Sequence, residues 1–215
     1  MNPWKREEEE MDNKILDQTR IQQVIDFHGH SCPGLAIGIR ASEIGLREVG
    51  PSSQDEEVVA VAETDMCGVD AIQVLMGCTF GKGNLVHLDY GKNAFSFYRR
   101  SDEKGIRLVT RPDVFNRPEE EMVRLRGKML KEGLTAPEKA RLKELSAAKV
   151  QEIMDADLEA LFDVKEASGP IPGRARILDG LICDACGERT MESRIRRLMG
   201  QNLCPPCFGK RERGA

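Results

Sequence analysis

The chain is short of histidine, with three in 215 residues, and nowhere approaches the roughly 20 consecutive apolar residues that a membrane-spanning helix needs. No apolar stretch follows Met1 that could serve as a secretion signal, so the expectation is a cytoplasmic protein with no membrane partner. A net charge of -4 provides no global field to gather nucleic acid or anionic lipid. Also missing are an internal repeat, a Walker loop, and a dinucleotide-binding glycine fingerprint after the apolar strand expected at 57–63. Cysteine is present in an odd number, seven, and its spacing suits metal thiolates in a reducing compartment better than disulfides.

What histidine and cysteine there is stands in dense polar clusters. The first is Phe27-His28-Gly29-His30-Ser31-Cys32-Pro33-Gly34, and the second runs Glu63-Thr64-Asp65-Met66-Cys67-Gly68-Val69-Asp70, followed by Gly77-Cys78-Thr79. His28, His30 and Cys32 alternate, so in an extended or looped segment they can face one side, and Gly29 allows the backbone close to an ion. Cys67 falls in the first turn of the helix expected at 67–76, where amides and the helix dipole are expected to lower its pKa. Asp65 and Asp70 can orient an imidazole or take a proton. Cys78, at the far end of that helix, is either a further ligand or a small buried residue. For His28 the ligand reading is preferred over that of a core histidine, whereas His87 in its strand is as compatible with structure as with function. Gly81-Lys82-Gly83-Asn84 could present amides and an ammonium to an anionic or carbonyl-bearing small molecule, with Lys92 adding positive charge.

The coarse pattern alternates helices and strands in an α+β order. Helices are expected at 15–27, 35–49, 67–76, 118–131 and 137–164, the last capped by Thr135. Strands are expected at 57–63 and 85–90, and a hairpin at 94–111. Residues 1–14 read as frayed and 51–55 as a turn. Pro and Gly make 167–177 a linker between a front domain, 1–166, and a tail module, 178–215.

The tail carries Cys183-x2-Cys186-Gly187 and Cys204-x2-Cys207, two knuckles able to place four thiolates around one zinc ion. So few apolar residues surround them that metal affinity is expected to supply much of the folding energy. Arg194, Arg196 and Arg197 form a short basic block without interleaved aromatics, which disfavours nucleic acid as the partner.

With His28-Gly-His-x-Cys-Pro-Gly34, Glu63-Thr-Asp-x-Cys-x2-Asp-Ala71, Gln73, Gly77-Cys-Thr79, Gly81-x-Gly83-Asn84 and Tyr90-Gly-Lys92-x-Ala94 in place, residues 15–165 resemble the FmdE family, named after one component of formylmethanofuran dehydrogenase. The tail is similar to the zinc ribbon of the DksA/TraR type. The resemblance implies an α+β core, a homodimer, and a second metal held by His28, Cys67 and, with less support, His30, Cys32 and Cys78. It also implies an association with molybdenum or tungsten enzymes of one-carbon metabolism. The chain itself has no iron–sulfur spacing and no molybdopterin-sized domain, so formyl oxidation would need a metalloenzyme partner. Three functions are in view: a metal-binding accessory protein, an independent metal-dependent enzyme in which bound water or Cys67 attacks a carbonyl with Asp65 or Asp70 handling the proton, and a ligand-sensing regulator that uses its ribbon.

Overall fold

The computed structural model describes residues 15–51, 57–114 and 120–213. The expectations for 1–14, for most of the turn at 51–55 and for the start of the helix at 118 lie outside the described residues. The chain divides into two compact units, one ending at Arg174 and the other starting at Ala175.

The first unit begins with α1 (Gln18–His28), capped by Asp17, whose carboxylate accepts from the Arg20 amide at 2.8 Å. Gly29 ends the helix in the left-handed conformation, φ 87°, which turns the chain directly after His28. The next helix, α2 (Pro33–Glu48), starts on Cys32, whose sulfur accepts from the Leu35 amide at 3.4 Å, and has Pro33 in its first turn. It is buried on nearly every side, as the core residues Leu35, Ile37, Ile39, Ala41, Ile44 and Leu46 show.

The fully buried strand β1 (Val58–Ala62) leads through a short loop into α3 (Gly68–Met76), and the chain returns as β2 (Leu85–His87). β1 and β2 pair in parallel, an arrangement that needs a crossover such as α3 provides. A hairpin follows, β3 (Ala94–Arg99) and β4 (Gly105–Thr110). Then come α4 (Glu120–Lys131), α5 (Ala136–Asp155), the single turn α6 (Leu158–Leu161) and β5 (Phe162–Glu166). The sheet order is β2-β1-β3-β4-β5, antiparallel except for the first pair. Val58, Ala60, Phe95, Phe97 and Leu108 join the helices in one core, while Val59, Val61 and Tyr98 face the other way.

Two expectations are corrected. The helix expected to run to 164 stops at Asp155, because Ala156 is extended (ψ 151°) and Asp157 caps a new turn. Residues 162–166 pair with β4, Phe162 opposite Thr110 and Val164 opposite Leu108. The apolar residues Leu158, Leu161 and Phe162 suited helical spacing, but Phe162 and Val164 follow the two-residue period of a strand, and pairing with the open edge of β4 wins. The expected linker also begins too early. Ala167 donates to the Gly105 carbonyl at 3.0 Å, Ile171 packs with Val59 and Tyr98, and the Arg100 guanidinium donates to the carbonyls of Pro172 and Gly173. Residues 167–174 therefore line the sheet rather than float free of it.

The second unit contains two short hairpins, β6 (Gly180–Ile182) with β7 (Arg189–Met191) and β8 (Arg196–Leu198) with β9 (Gln201–Leu203), followed by α7 (Pro205–Glu212). No helix among the described residues is long and apolar enough to cross a membrane.

Candidate metal centre and ligand cavity

Two helix starts meet because two glycines let their backbones touch. A Cβ on Gly38 of α2 would lie 2.3 Å from the Gly68 carbonyl oxygen, and one on Gly34 would lie 3.3 Å from the Cys67 Cβ. Close crossing of α2 and α3 thus sets Cys67, which starts α3, beside Cys32, which starts α2. The histidine turn is carried to the same place by α1, which also packs on α3.

His28, His30 and Cys32 hold their ligand atoms within 4.8 Å of one another. The two imidazole rings lie 4.6 Å apart, and His28 Nε2 is 3.9 Å from the Cys32 sulfur. His28 Nδ1 meets Asp70 Oδ2 at 2.7 Å, and Gln73 donates to the other Asp70 oxygen at 3.2 Å. A carboxylate on one ring nitrogen fixes the tautomer and aims the other nitrogen outward, the arrangement that orients metal-bound histidines. Asp70 is thus a positioning group, which assigns to orientation the residue also considered for proton transfer. Two imidazoles and a thiol suit zinc or another borderline transition metal.

Cys67 departs from expectation. Burial pushes its thiol above the usual range, and the neighbouring Cys32 thiol and the Asp70 charge push the same way. Cys67 is itself the cap residue and its side chain makes no capping hydrogen bond, so its sulfur does not sit in front of the helix amides. The dipole that was expected to activate it therefore has little hold on it.

A cavity of about 740 Å³ opens beside these groups. His30, Cys32 and Cys67 form one wall, and the loops after β1 and β2 supply Thr64, Met66, Gly91 and Asn93. These loops leave the carboxyl ends of the two parallel strands, where open α/β sheets commonly place ligands. The opposite wall is the α4–α5 hairpin, with Met122, Leu145 and Ala148 among apolar groups and Arg126, Lys149 and Glu152 among charged ones. Nothing in the sequence marked this wall, since charged residues on amphipathic helices normally face solvent.

The other expected ligand-binding residues lie elsewhere. Cys78 is fully buried at the far end of α3, its thiol donating to the carbonyls of Val58 and Met76 at 3.6 Å, and burial pushes it up to about 12. Lys82 Nζ donates to the Gly77 carbonyl at 2.9 Å, closing the end of α3. Buried Asn84 donates to the Val58 carbonyl at 3.0 Å and accepts from the Thr79 amide at 2.9 Å. The glycine loop is thus a structural cap for α3, and Lys82 and Asn84, expected to bind an anion, serve that cap and lie outside the lining of the cavity. The Lys92 ammonium lies 5.7 Å from the Tyr90 ring centre, while its neighbours Gly91 and Asn93, rather than Lys92, border the cavity. Asp65 is exposed in the loop before Cys67, and His87 is exposed on the edge strand β2.

In the second unit, the ligand atoms of Cys183, Cys186, Cys204 and Cys207 also lie within 4.8 Å of one another. Backbone amides, that of Cys204 first and that of Cys186 next, hold the Cys183 thiol down at about 6. Gly187, φ 76°, makes the tight knuckle turn, its amide donating to the Cys183 carbonyl at 2.9 Å. Four protein sulfurs so placed could fill every position of a tetrahedral shell, the donor set of a structural zinc site.

Fold and sites together define a class: an α+β domain with a histidine–cysteine cluster at a cavity, followed by a four-cysteine zinc finger. The chain belongs to the FmdE family, whose profile, described as that of the molybdenum formylmethanofuran dehydrogenase operon, matches residues 27–163. A second profile, the prokaryotic DksA/TraR C4-type zinc finger, matches residues 176–213. A protein of Archaeoglobus fulgidus named as a probable S-adenosyl-L-methionine-binding protein is 34% identical over 195 residues. That match takes in 86% of this chain but 51% of the archaeal protein, so the chain spans about half the length of this relative. The crystal structure of an FmdE-like protein from Syntrophus aciditrophicus, described as like a component of tungsten formylmethanofuran dehydrogenase, superposes with a TM-score of 0.55. It covers 89% of this chain and 91% of its own at 23% identity, a likeness of fold.

Proposed function

We propose that this chain is a metal-binding accessory protein whose first unit holds a transition metal, zinc by its donor chemistry, at the wall of a ligand cavity and serves a molybdenum or tungsten enzyme of one-carbon metabolism. The observation that carries this reading is the His28–His30–Cys32 cluster, with Asp70 locking His28, on the edge of a cavity about 740 Å³ in volume. That volume falls in the range of about 300–1,000 Å³ usual for small-molecule sites. The family's operon supports the link to the metalloenzyme. Cys67, beside Cys32, is the nearest candidate for a further ligand. A homodimer in the cytoplasm accords with this reading.

A second reading, an independent metal-dependent enzyme, is favoured by the same adjacency of cavity and donors. A bound metal would supply Lewis-acid polarisation of a carbonyl or phosphoryl oxygen. This chain's own part would be to hold His28 by Asp70, to line the cavity with Met66 and Met122, and so to keep water from most of the ligand. S-adenosyl-L-methionine, after which the archaeal relative is named, is a candidate occupant under either reading.

Elemental analysis of the full chain tests the proposal. Two metal ions per chain are expected, with His28→Ala losing one and Cys183→Ser losing the other. Unchanged metal content in His28→Ala overturns the front site. Turnover by the isolated, metal-loaded chain would select the enzyme reading over the accessory one.

A further inference from the structure

The charged groups on the helical wall of the cavity define what it takes. Arg126 of α4 borders the 740 Å³ cavity and also a second, smaller one of about 370 Å³ that shares His30 and Cys32 with it. It has no carboxylate partner among the described residues. The other cavity cation, Lys149, is largely buried and pairs at 2.8 Å with Glu152, whose side chain is 67% exposed. The acid among the described residues of this wall, Glu152, is therefore already matched, while exposed Arg126 borders the ligand space without an ion-pair partner among the described residues. Much of the remaining lining is apolar, from Met66, Met122, Leu145 and Ala148. Gly34 and Cys67, at the starts of α2 and α3, line the opposite wall.

We infer that the cavity takes a small carboxylate with an apolar body, its anion held by Arg126. The planar guanidinium can give a carboxylate two parallel hydrogen bonds, a geometry that lysine cannot copy. The apolar body then covers the methionine and leucine side chains, and its far end reaches the His30–Cys32 wall. Arg126 is a specificity-determining residue in this account. The inference rests on the reading of the cavity as a ligand site, but it does not depend on which metal the neighbouring cluster holds.

Calorimetric titration of the full chain with hexanoate, 1-hexanol and hexylamine tests it. Hexanoate should bind at least tenfold more tightly than the alcohol, and the amine should not bind measurably. Arg126→Gln should weaken hexanoate about tenfold and leave hexanol unchanged, and Arg126→Lys should restore only part of the loss. Equal hexanoate affinity in wild type and Arg126→Gln overturns the inference, because the carboxylate would then be held elsewhere, as on the metal. Binding of hexylamine as tight as that of hexanoate, or no binding of hexanoate, overturns it as well. Metal content measured on the same samples separates the two claims. One ion per chain in the wild type removes the front metal reading, while the hexanoate series still judges Arg126.

Discussion

Glu63 is 6% exposed and stays charged because Arg107 reaches both of its carboxylate oxygens, Nε at 2.6 Å and Nη2 at 2.9 Å. The Arg107 hydrogen bond holds the Glu63 carboxyl below its ordinary value of 4.5 against the opposing cost of burial. The pair joins β4 to the end of β1, just before the loop that delivers Cys67. Replacing Arg107 by Met strands a buried carboxylate, and we expect a loss of about 2–3 kcal/mol at neutral pH in denaturant titration, the arginine side being partly solvated. A carboxyl whose pKa is lower folded than unfolded contributes stability above its unfolded value and loses it as pH falls through the folded one. The wild type should therefore lose stability below about pH 4.5, and Arg107→Met should lose less over that interval. At the metal cluster, Asp70→Asn removes the anion that orients His28. The affinity for the front metal should fall by about 10–100-fold, read by competition with a chelator, while circular dichroism stays unchanged. Residue types were legible here, since histidines and cysteine alternating about one glycine announce a ligand turn. Partners were not. Asp65 and Asp70 look alike in the sequence, and only the crossing of α1 over α3 gives His28 to Asp70.

At the scale of elements, the site depends on α2 and α3 touching at Gly38 and Gly68. Gly38→Ala would bring a methyl to 2.3 Å from a carbonyl oxygen, which a side-chain shift cannot relieve, so the helices must separate. We expect a loss of about 3 kcal/mol or more, together with weaker metal binding, since Cys32 and Cys67 would move apart. Gly127 of α4 is the control. A Cβ there meets nothing within 4 Å, so Gly127→Ala should stabilise by about 0.5–1 kcal/mol. Thermal denaturation of both variants checks the contrast. Helical spacing revealed α2 and α3. It did not reveal β5, because its five residues acquire meaning only against the open edge of β4.

For the whole molecule, the two units should respond to metal loss separately. The core of the second unit is Cys183, Cys204 and Leu203, packed with Cys207, Leu198 and Phe208, so half of it is the ligand set itself. Cys183→Ser should release the tail metal and unfold that unit, while amide exchange in β1, β3 and α2 of the first unit stays as protected as in the wild type. Uniform loss of protection across both units would contradict this independence.

The sequence by itself determined the zinc finger and the His28–Cys32 turn, since the ligands of each lie in short stretches whose spacing alone brings them together. It also determined the α+β class, through the periods of its apolar residues. Tertiary structure decided that Cys67 joins Cys32 while Cys78 enters the core, that Lys82 and Asn84 cap a helix, and that Arg126 faces a cavity. Those outcomes depend on where helices cross and which strand edge stays open, long-range contacts that no local spacing encodes.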